Sequence, residues 1–351
     1  MKRLFIALLL ISQIGCHEPV ILEIAPPVPE DPTVIDGLEL EFQRIETASY
    51  YTAIMFTNES TGFIATTEGA IIKTTDGGES WTNLITDHYV PLKDLSFIND
   101  QEGWAAGGAS DCNTSDCTPR GAVLLHTTDG GATWTEVRLD LSKRIALTSV
   151  WFVNSDLGFI TSDRLIARTT DGGETWEETV FDFEPSIGIN PMLVDIKFVD
   201  AQHGIATASA GRIVRTEDGG DTWTVTTPFG DASTIAAAYA STNIVYTGTA
   251  ENLYRSADYG KTWNSVAQLS FPIHSMTFAS DNAAFIFGMG DYQGGDIPRA
   301  FGSIFYTADG GQTWKGTSEV HEASMIISSS FPSERTGYAI SNERFVKITL
   351  K

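Results

Sequence analysis

Thr127-Thr-Asp-Gly-Gly-Ala-Thr-Trp134 is one of six near-copies of a single turn. The others are Thr74-Thr-Asp-Gly-Gly-Glu-Ser-Trp81, Thr169-Thr-Asp-Gly-Gly-Glu-Thr-Trp176, Thr216-Glu-Asp-Gly-Gly-Asp-Thr-Trp223, Ser256-Ala-Asp-Tyr-Gly-Lys-Thr-Trp263 and Thr307-Ala-Asp-Gly-Gly-Gln-Thr-Trp314. Their aspartates, Asp76, Asp129, Asp171, Asp218, Asp258 and Asp309, recur at intervals of 40 to 53 residues. A period of that size marks one supersecondary unit stacked on copies of itself, as propeller blades or a solenoid. Read singly, six acids in loops resemble metal or catalytic sites. Read as repeats they are fasteners. A carboxylate accepts N–H groups of its own turn, and glycine takes the positive φ that a side chain opposes. The Ser or Thr hydroxyl closes the loop. Trp81, Trp134, Trp176, Trp223, Trp263 and Trp314 then supply apolar plates between sheets.

A strand-like run precedes each turn, as in Val123 to His126 or Leu165 to Arg168. Two more lie upstream with a short turn between them, as in Asp94 to Ile98 with Gly103 to Gly107, and Asp195 to Val199 with Gly204 to Ala208. The fourth strand starts at the tryptophan. Four short strands per period, with no helical periodicity, predict blades around an axis. The C-terminal segments Met325 to Phe331, Gly337 to Ser341 and Arg344 to Leu350 make three strands with no such turn, while Leu38 to Ile45 is an orphan strand ahead of the first blade. Joined, they make a seventh blade and remove two open edges. The expected fold is all-β, a seven-bladed propeller over residues 38–351, closed by an N-terminal strand in the last blade.

The 351 residues carry 45 acidic and 22 basic side chains, a formal net charge of -23, with 42% hydrophobic content. The apolar fraction supports a large core, and the acidity disfavours nucleic-acid phosphates and anionic headgroups. Lys2 and Arg3 precede an apolar run, Leu4 to Ile14, too short to span a bilayer. The run ends at Gly15-Cys16, the arrangement of a lipoprotein signal, although Gln13 stands where leucine is usual. Residues 1–15 therefore read as a lipoprotein signal peptide and Cys16 as the lipid attachment. Residues 16–37 hold five prolines (Pro19, Pro26, Pro27, Pro29 and Pro32) and read as an extended, unpacked tether. The remaining cysteines, Cys112 and Cys117, are close together in a polar segment, and export favours a disulfide between them.

These turns resemble the Asp-box, or bacterial-neuraminidase-repeat, propellers. The longer unit resembles the photosystem II stability/assembly factor family: an apolar-x-Phe strand, an acidic turn, Gly-aromatic-Ala, then the box. Phe97 to Trp134 contains it whole, interrupted by the cysteine loop. The resemblance implies a non-catalytic role in binding or assembling proteins. Sialidases share the box, but no Arg-Ile-Pro motif is present, and the arginines, such as Arg168, Arg212, Arg215 and Arg255, sit in third strands. No phosphate loop, zinc motif or Ser-His-Asp signature appears, so no catalytic residue, metal or cofactor is expected. The function expected is an exported, lipid-anchored scaffold, periplasmic or at the cell surface, whose partners are envelope proteins. The membrane is met only through the N-terminal lipid. The alternative is a glycan-binding module or glycoside hydrolase, for which Tyr50-Tyr51 and Asp291-Tyr292-Gln-Gly-Gly-Asp296 offer aromatics.

Extra length points to a binding face. Gly108 to Gly121 and Gly290 to Gly302 are insertions between second and third strands, and Phe181 to Met192 is a long link between blades. All belong to the face opposite the Asp boxes. Long loops on a rigid scaffold carry recognition, which makes Tyr292, Arg299, Asp116 and Phe183 the candidate contacts. Mass spectrometry of the exported protein is expected to find acylated Cys16 at the mature N-terminus and no free thiol at 112 or 117. A different N-terminus, or two free thiols, would contradict these readings.

Overall fold

The computed structural model describes residues 21–23, 33–35, 37–45, 49–84, 89–109, 121–142, 145–184, 190–230, 232, 237–249, 252–269, 271–289, 302–320, 325–341 and 343–351. They form seven antiparallel sheets and no helix. The second blade shows the unit: Leu92–Phe97, Gly103–Gly108, Ala122–Thr127 and Thr135–Glu136, paired in chain order from the inside outward. The seventh blade is composite. Ser328–Ser330, Thr336–Ile340 and Phe345–Leu350 are its inner three strands, and Leu38–Gln43 pairs with the last of them, from Leu38 opposite Leu350 to Gln43 opposite Phe345. The alternation read from the sequence holds there. Leu38, Leu40 and Phe42 are buried while Glu39, Glu41 and Gln43 are partly exposed.

Within a blade successive strands run in opposite directions. The turn after the innermost strand and the Asp box after the third therefore lie at one end, the Asp-box face. The loop after the second strand and the link to the next blade lie at the other, called here the insertion face.

The tether departs from expectation. Ile21–Glu23 pairs antiparallel with the outer strand Thr82–Leu84 of the first blade, and Thr33–Ile35 pairs with Leu38–Leu40 at the rim of the seventh. Both add a fifth strand to a sheet edge. Outer edges leave backbone N–H and C=O groups unpaired, and an extended segment meets that need even where prolines flank it.

Each Asp box is a knot tied by two side chains. In the first, the Thr74 hydroxyl donates to Asp76 Oδ1 (2.7 Å) and accepts from the amide of Gly78 (2.9 Å). Asp76 Oδ1 also accepts the Ser80 amide (2.9 Å), and the Trp81 indole donates to the Gly78 carbonyl (3.1 Å). The hydroxyl and carboxylate bonds recur around Asp129, Asp171, Asp218, Asp258 and Asp309, whereas the indole bond recurs at Trp176 and is not made by Trp134, Trp263 or Trp314. The Thr175 hydroxyl and amide, with the Thr169 hydroxyl, hold Asp171 down to about 2, and Thr222 and Thr313 do the same for Asp218 and Asp309. A depressed carboxyl contributes stability above its unfolded value, near 4, and loses it as the pH falls toward 2.

The two glycines of the box do different work. The second, Gly78, has φ +92°, and a Cβ there would lie 2.5 Å from the Phe345 ring of the preceding blade. The first is left-handed too and faces a carbonyl of its own blade's inner turn, Glu59 O at 3.1 Å from a Cβ on Gly77; in the fifth box Tyr259 adopts that backbone at φ 60° while stacking on His203 at 3.9 Å.

Between blades one contact repeats. The aromatic ending an innermost strand lies flat on a second-strand aromatic of the preceding blade: Phe56 on Tyr338 (3.6 Å), Phe97 on Phe63 (4.2 Å), Phe152 on Trp104 (3.5 Å), Phe198 on Phe159 (3.9 Å), Phe278 on Tyr246 (4.8 Å) and Phe331 on Phe285 (3.9 Å). Only the junction of fourth and fifth blades differs, with Ile205 and Tyr239 in its cluster. The box tryptophans meet these pairs edge-on, as Trp134 meets Phe97 at 5.9 Å and 88°. Trp81 is fully buried and the other five are partly so.

Deleting residues 38–43 removes three buried side chains and reopens the ring. At about 2–5 kcal/mol for each large apolar side chain lost, against a total stability of about 5–15 kcal/mol, the variant is expected not to fold. Leu40→Ala alone is expected to cost about 3 kcal/mol, read from denaturant unfolding. Cooperative unfolding of the deletion variant near the parent midpoint would contradict the closure.

Candidate functional site: the channel and the insertion face

The innermost strands surround an axial cavity of about 370 Å³, lined by residues of all seven blades, among them Ile54, Asp94, Trp151, Lys197, Tyr239 and Ser330. An innermost strand has no neighbour on its axial edge, so its N–H groups there need other partners. Side chains of the preceding blade supply them. Val150 N donates to Asp94 Oδ2 (3.0 Å), Phe152 N to Ser96 Oγ (2.9 Å), Ile54 N to Ser328 Oγ (3.2 Å) and Phe56 N to Ser330 Oγ (2.9 Å). The channel polarity is therefore partly structural.

One part of the wall carries charge. Asp94, Ser149, Asp195 and Lys197 come from the innermost strands of the second, third and fourth blades. Ser149 Oγ lies 2.6 Å from Asp94 Oδ2 and 3.1 Å from Asp195 Oδ1. Lys197 Nζ donates to Asp195 Oδ1 (2.8 Å) and stands 5.0 Å from the Trp151 ring centroid. Burial pushes the Asp94 carboxyl up against the pull of Lys197, with Asp195 adding repulsion. Burial also opposes the Lys197 ammonium, but Asp195 and Asp94 outweigh it and hold Lys197 above its ordinary value. The geometry agrees, because one hydroxyl proton cannot serve both carboxylates. When Asp94 holds a proton, it donates to Ser149, which donates to Asp195, which also accepts from Lys197. The pair is thus engaged internally, unlike carboxylates that flank open space for a glycosidic bond. The sequence signal for this cluster was an acid three residues before the strand-ending phenylalanine in two repeats, Asp94 with Phe97 and Asp195 with Phe198.

Among the described residues the third-strand arginines do not converge. Arg168 reaches Asp221 of the next blade's box (2.5 Å), Arg215 and Lys261 share Glu217, and Arg255 stands over Tyr246. Arg212 is buried and donates to the carbonyls of Ala210 and Glu184. Among the described residues no group of three or more His, Cys, Asp or Glu side chains could hold a metal ion.

The insertion face has a different surface. Of the large apolar side chains exposed among the described residues, Tyr50, Tyr89, Val180 and Met192 lie at this end, and Val34, Val225 and Val266 lie on rim strands. None lies in an Asp box or an inner turn. The candidate contact Phe183 needs correction. It is only 4% exposed, its ring is parallel to Phe181 at 5.5 Å, and Arg212 ties the neighbouring Glu184 carbonyl to the fourth blade. The long link tucks its aromatics into the core, where they serve packing. Tyr51, half of the proposed carbohydrate pair, is likewise buried, its hydroxyl donating to the Ile45 carbonyl (2.8 Å). Asp116, Tyr292, Arg299, Cys16, Cys112 and Cys117 lie outside the described residues, as does the signal peptide.

The family model of the photosynthesis system II assembly factor YCF48 matches residues 34–145, and that of sortilin, neurotensin receptor 3, matches residues 211–345. A photosystem II assembly lipoprotein, Ycf48 of Synechococcus sp. (strain CC9902), is 32% identical over 100 residues, covering 27% of this chain and 26% of the relative. The chain thus matches about a quarter of that relative's length. Among solved structures, YCF48 bound to a D1 peptide aligns with TM-score 0.67 at 17% identity, over 89% of this chain and 97% of the other. The Niastella koreensis GH74 enzyme aligns with TM-score 0.66 at 17% identity, over 87% of this chain and 53% of the other. At such identities the structural likeness speaks for the fold alone.

Lys197→Met leaves two carboxylates without their ammonium. The cost is expected near 3–5 kcal/mol at pH 7. Asp94 already sits above its ordinary value, so its ionised form costs stability at high pH and acid relieves the cost. The deficit of Lys197→Met against the parent, measured by thermal unfolding, should therefore shrink from pH 7 to pH 5. A deficit that grows over that interval would contradict the arrangement.

Proposed function

We propose that this Asp-box propeller, which resembles the photosystem II assembly factors, is exported, held to a membrane by a lipid on Cys16 and works without catalysis as a platform for a protein partner. The observation that carries the reading is the division of its surface. The Asp-box face is polar, fastened and repetitive, whereas both long insertions leave and re-enter the fold at the insertion face, where Val180 and Met192 are exposed as well. Recognition concentrates on loops that a rigid scaffold presents.

On this reading Asp116, Tyr292 and Arg299 contact the partner, and a Cys112–Cys117 disulfide stiffens the first insertion. Residues 16–37 join lipid to propeller, and the domain proper is 38–351. The partner is an envelope protein, met in the periplasm or at the cell surface. A chain with 45 acidic and 22 basic residues favours a segment of basic character. Two relatives support a protein ligand: one solved YCF48 carries a D1 peptide, and the Synechococcus protein is named an assembly lipoprotein. The same name supports the lipid anchor. The glycoside hydrolase alternative draws on the GH74 likeness in fold, while the engagement of Asp94 and Asp195 with Ser149 and Lys197 weighs against it.

Shortening Gly108 to Gly121 and Gly290 to Gly302 separately is expected to abolish capture of envelope proteins from intact membranes while leaving the melting temperature within a few degrees. Unchanged capture by both folded variants would refute the assignment. Capture lost only through changes on the Asp-box face would reverse it.

A further inference from the structure

The path of the N-terminal segment bears on how the propeller stands on its membrane, an inference that rests on the lipid anchor proposed above. The outer strand Thr82–Leu84 leaves the first Asp box at Trp81 and runs toward the insertion face. Ile21 pairs with Leu84 and Glu23 with Thr82. The chain therefore joins the first blade at its insertion-face end. Four residues lie between Cys16 and Ile21, and the five steps from one to the other, at about 3.3–3.6 Å each, reach about 18 Å at most. A lipid on Cys16 keeps this corner of the disc close to the bilayer.

Two side chains stand at that corner. The Tyr50 carbonyl accepts the amide of Thr67, which follows the second strand of the first blade, so Tyr50 is fixed at the insertion-face end of that blade. Tyr89 is on the link from the first blade to the second, and two residues on the Pro91 carbonyl accepts the amide of Gly108 (2.8 Å), the root of the second-blade insertion. Their side chains are 57% and 74% exposed. Exposure of single rings is ordinary on a protein surface; what sets these two apart is their place, at the end of the blade that the N-terminal strand joins. A tyrosine offers an apolar ring and a polar tip, the combination that settles at the headgroup level of a bilayer. The net charge of -23 removes electrostatic attraction to anionic lipid, so aromatic contact is the means left.

We infer that Tyr50 and Tyr89 are the feet on which the propeller rests against the lipid surface that holds its own N-terminus, with the insertion-face end of the first blade turned to the headgroups. The occupant of this corner is the bilayer. The protein partner is then met beside the membrane, on the insertions of the second and sixth blades.

Hydroxyl-radical footprinting read by mass spectrometry tests this without altering the tyrosines. Two preparations are compared on phosphatidylcholine vesicles with the unanchored Cys16→Ser protein. One is the lipoprotein as the cell makes it. The other carries Cys112→Ser and Cys117→Ser, with a maleimide phospholipid coupled to Cys16. Oxidation of Tyr50 and Tyr89 is expected to fall several-fold in both anchored preparations, while Tyr259, on the Asp-box face, stays unchanged. Equal oxidation of Tyr50, Tyr89 and Tyr259 in the coupled preparation overturns the contact, as does protection centred on Tyr259. Unacylated Cys16 in the cell-made protein overturns the anchor reading instead, and the coupled preparation still decides the contact.

Discussion

Flat ring against flat ring at the blade junctions is the contact on which the rest of this molecule depends. A four-stranded sheet cannot cover both its faces, so every blade needs a neighbour on each side. Six of the seven junctions meet that need with the same stacked pair, and a box tryptophan closes several of them edge-on. Each pair adds about 0.5–1.5 kcal/mol beyond the area it buries. It also fixes the angle between blades, because five of the pairs lie within 17° of parallel at 3.5–4.2 Å and tolerate little rotation. The Asp box serves this geometry: in four boxes its second glycine clears the space into which a ring of the preceding blade fits, in the other two it faces Val137 and Ile205, and its hydrogen bonds hold that glycine in place. The junction of fourth and fifth blades lacks the stack, and there Tyr259 lies on His203 at the Asp-box face instead.

Around the axis a different constraint rules. The radial arrangement exposes one edge of every innermost strand, and the molecule satisfies those edges with side chains from the blade before. Serines do this at little cost. Aspartate does it too, but brings a charge into an enclosed space, and Lys197 is the compensation. The charge in the channel is thus a by-product of how strand edges are capped. Length that the repeat does not require leaves and re-enters the fold away from the channel, at the insertion-face end.

The scaffold was legible in the sequence because its signals repeat. Six boxes gave the blade period, and the alternation of Leu38, Leu40 and Phe42 betrayed the closing strand. The channel cluster was less legible, since Asp94 and Asp195 occur in only two repeats and their meeting through Ser149 depends on a third. Phe183 was misread for a plain reason. Length in a link reads as exposure, and only the fold reveals that Arg212 binds its backbone and draws its aromatics inward. The tether was misread similarly: prolines argue against a strand within their own stretch, but say nothing of an open edge waiting nearby.

The composite blade also sets a timetable. Leu38 finds its partner only at Leu350, so the first strand made is completed by nearly the last. Until Phe345–Leu350 is made, the ring cannot close, and the first and sixth blades each keep a bare flank. The partly made chain can stack blades one on another, but it has no closed form to adopt. Closure of the seventh blade is therefore the step that turns a row of blades into one ring, with every sheet covered on both sides.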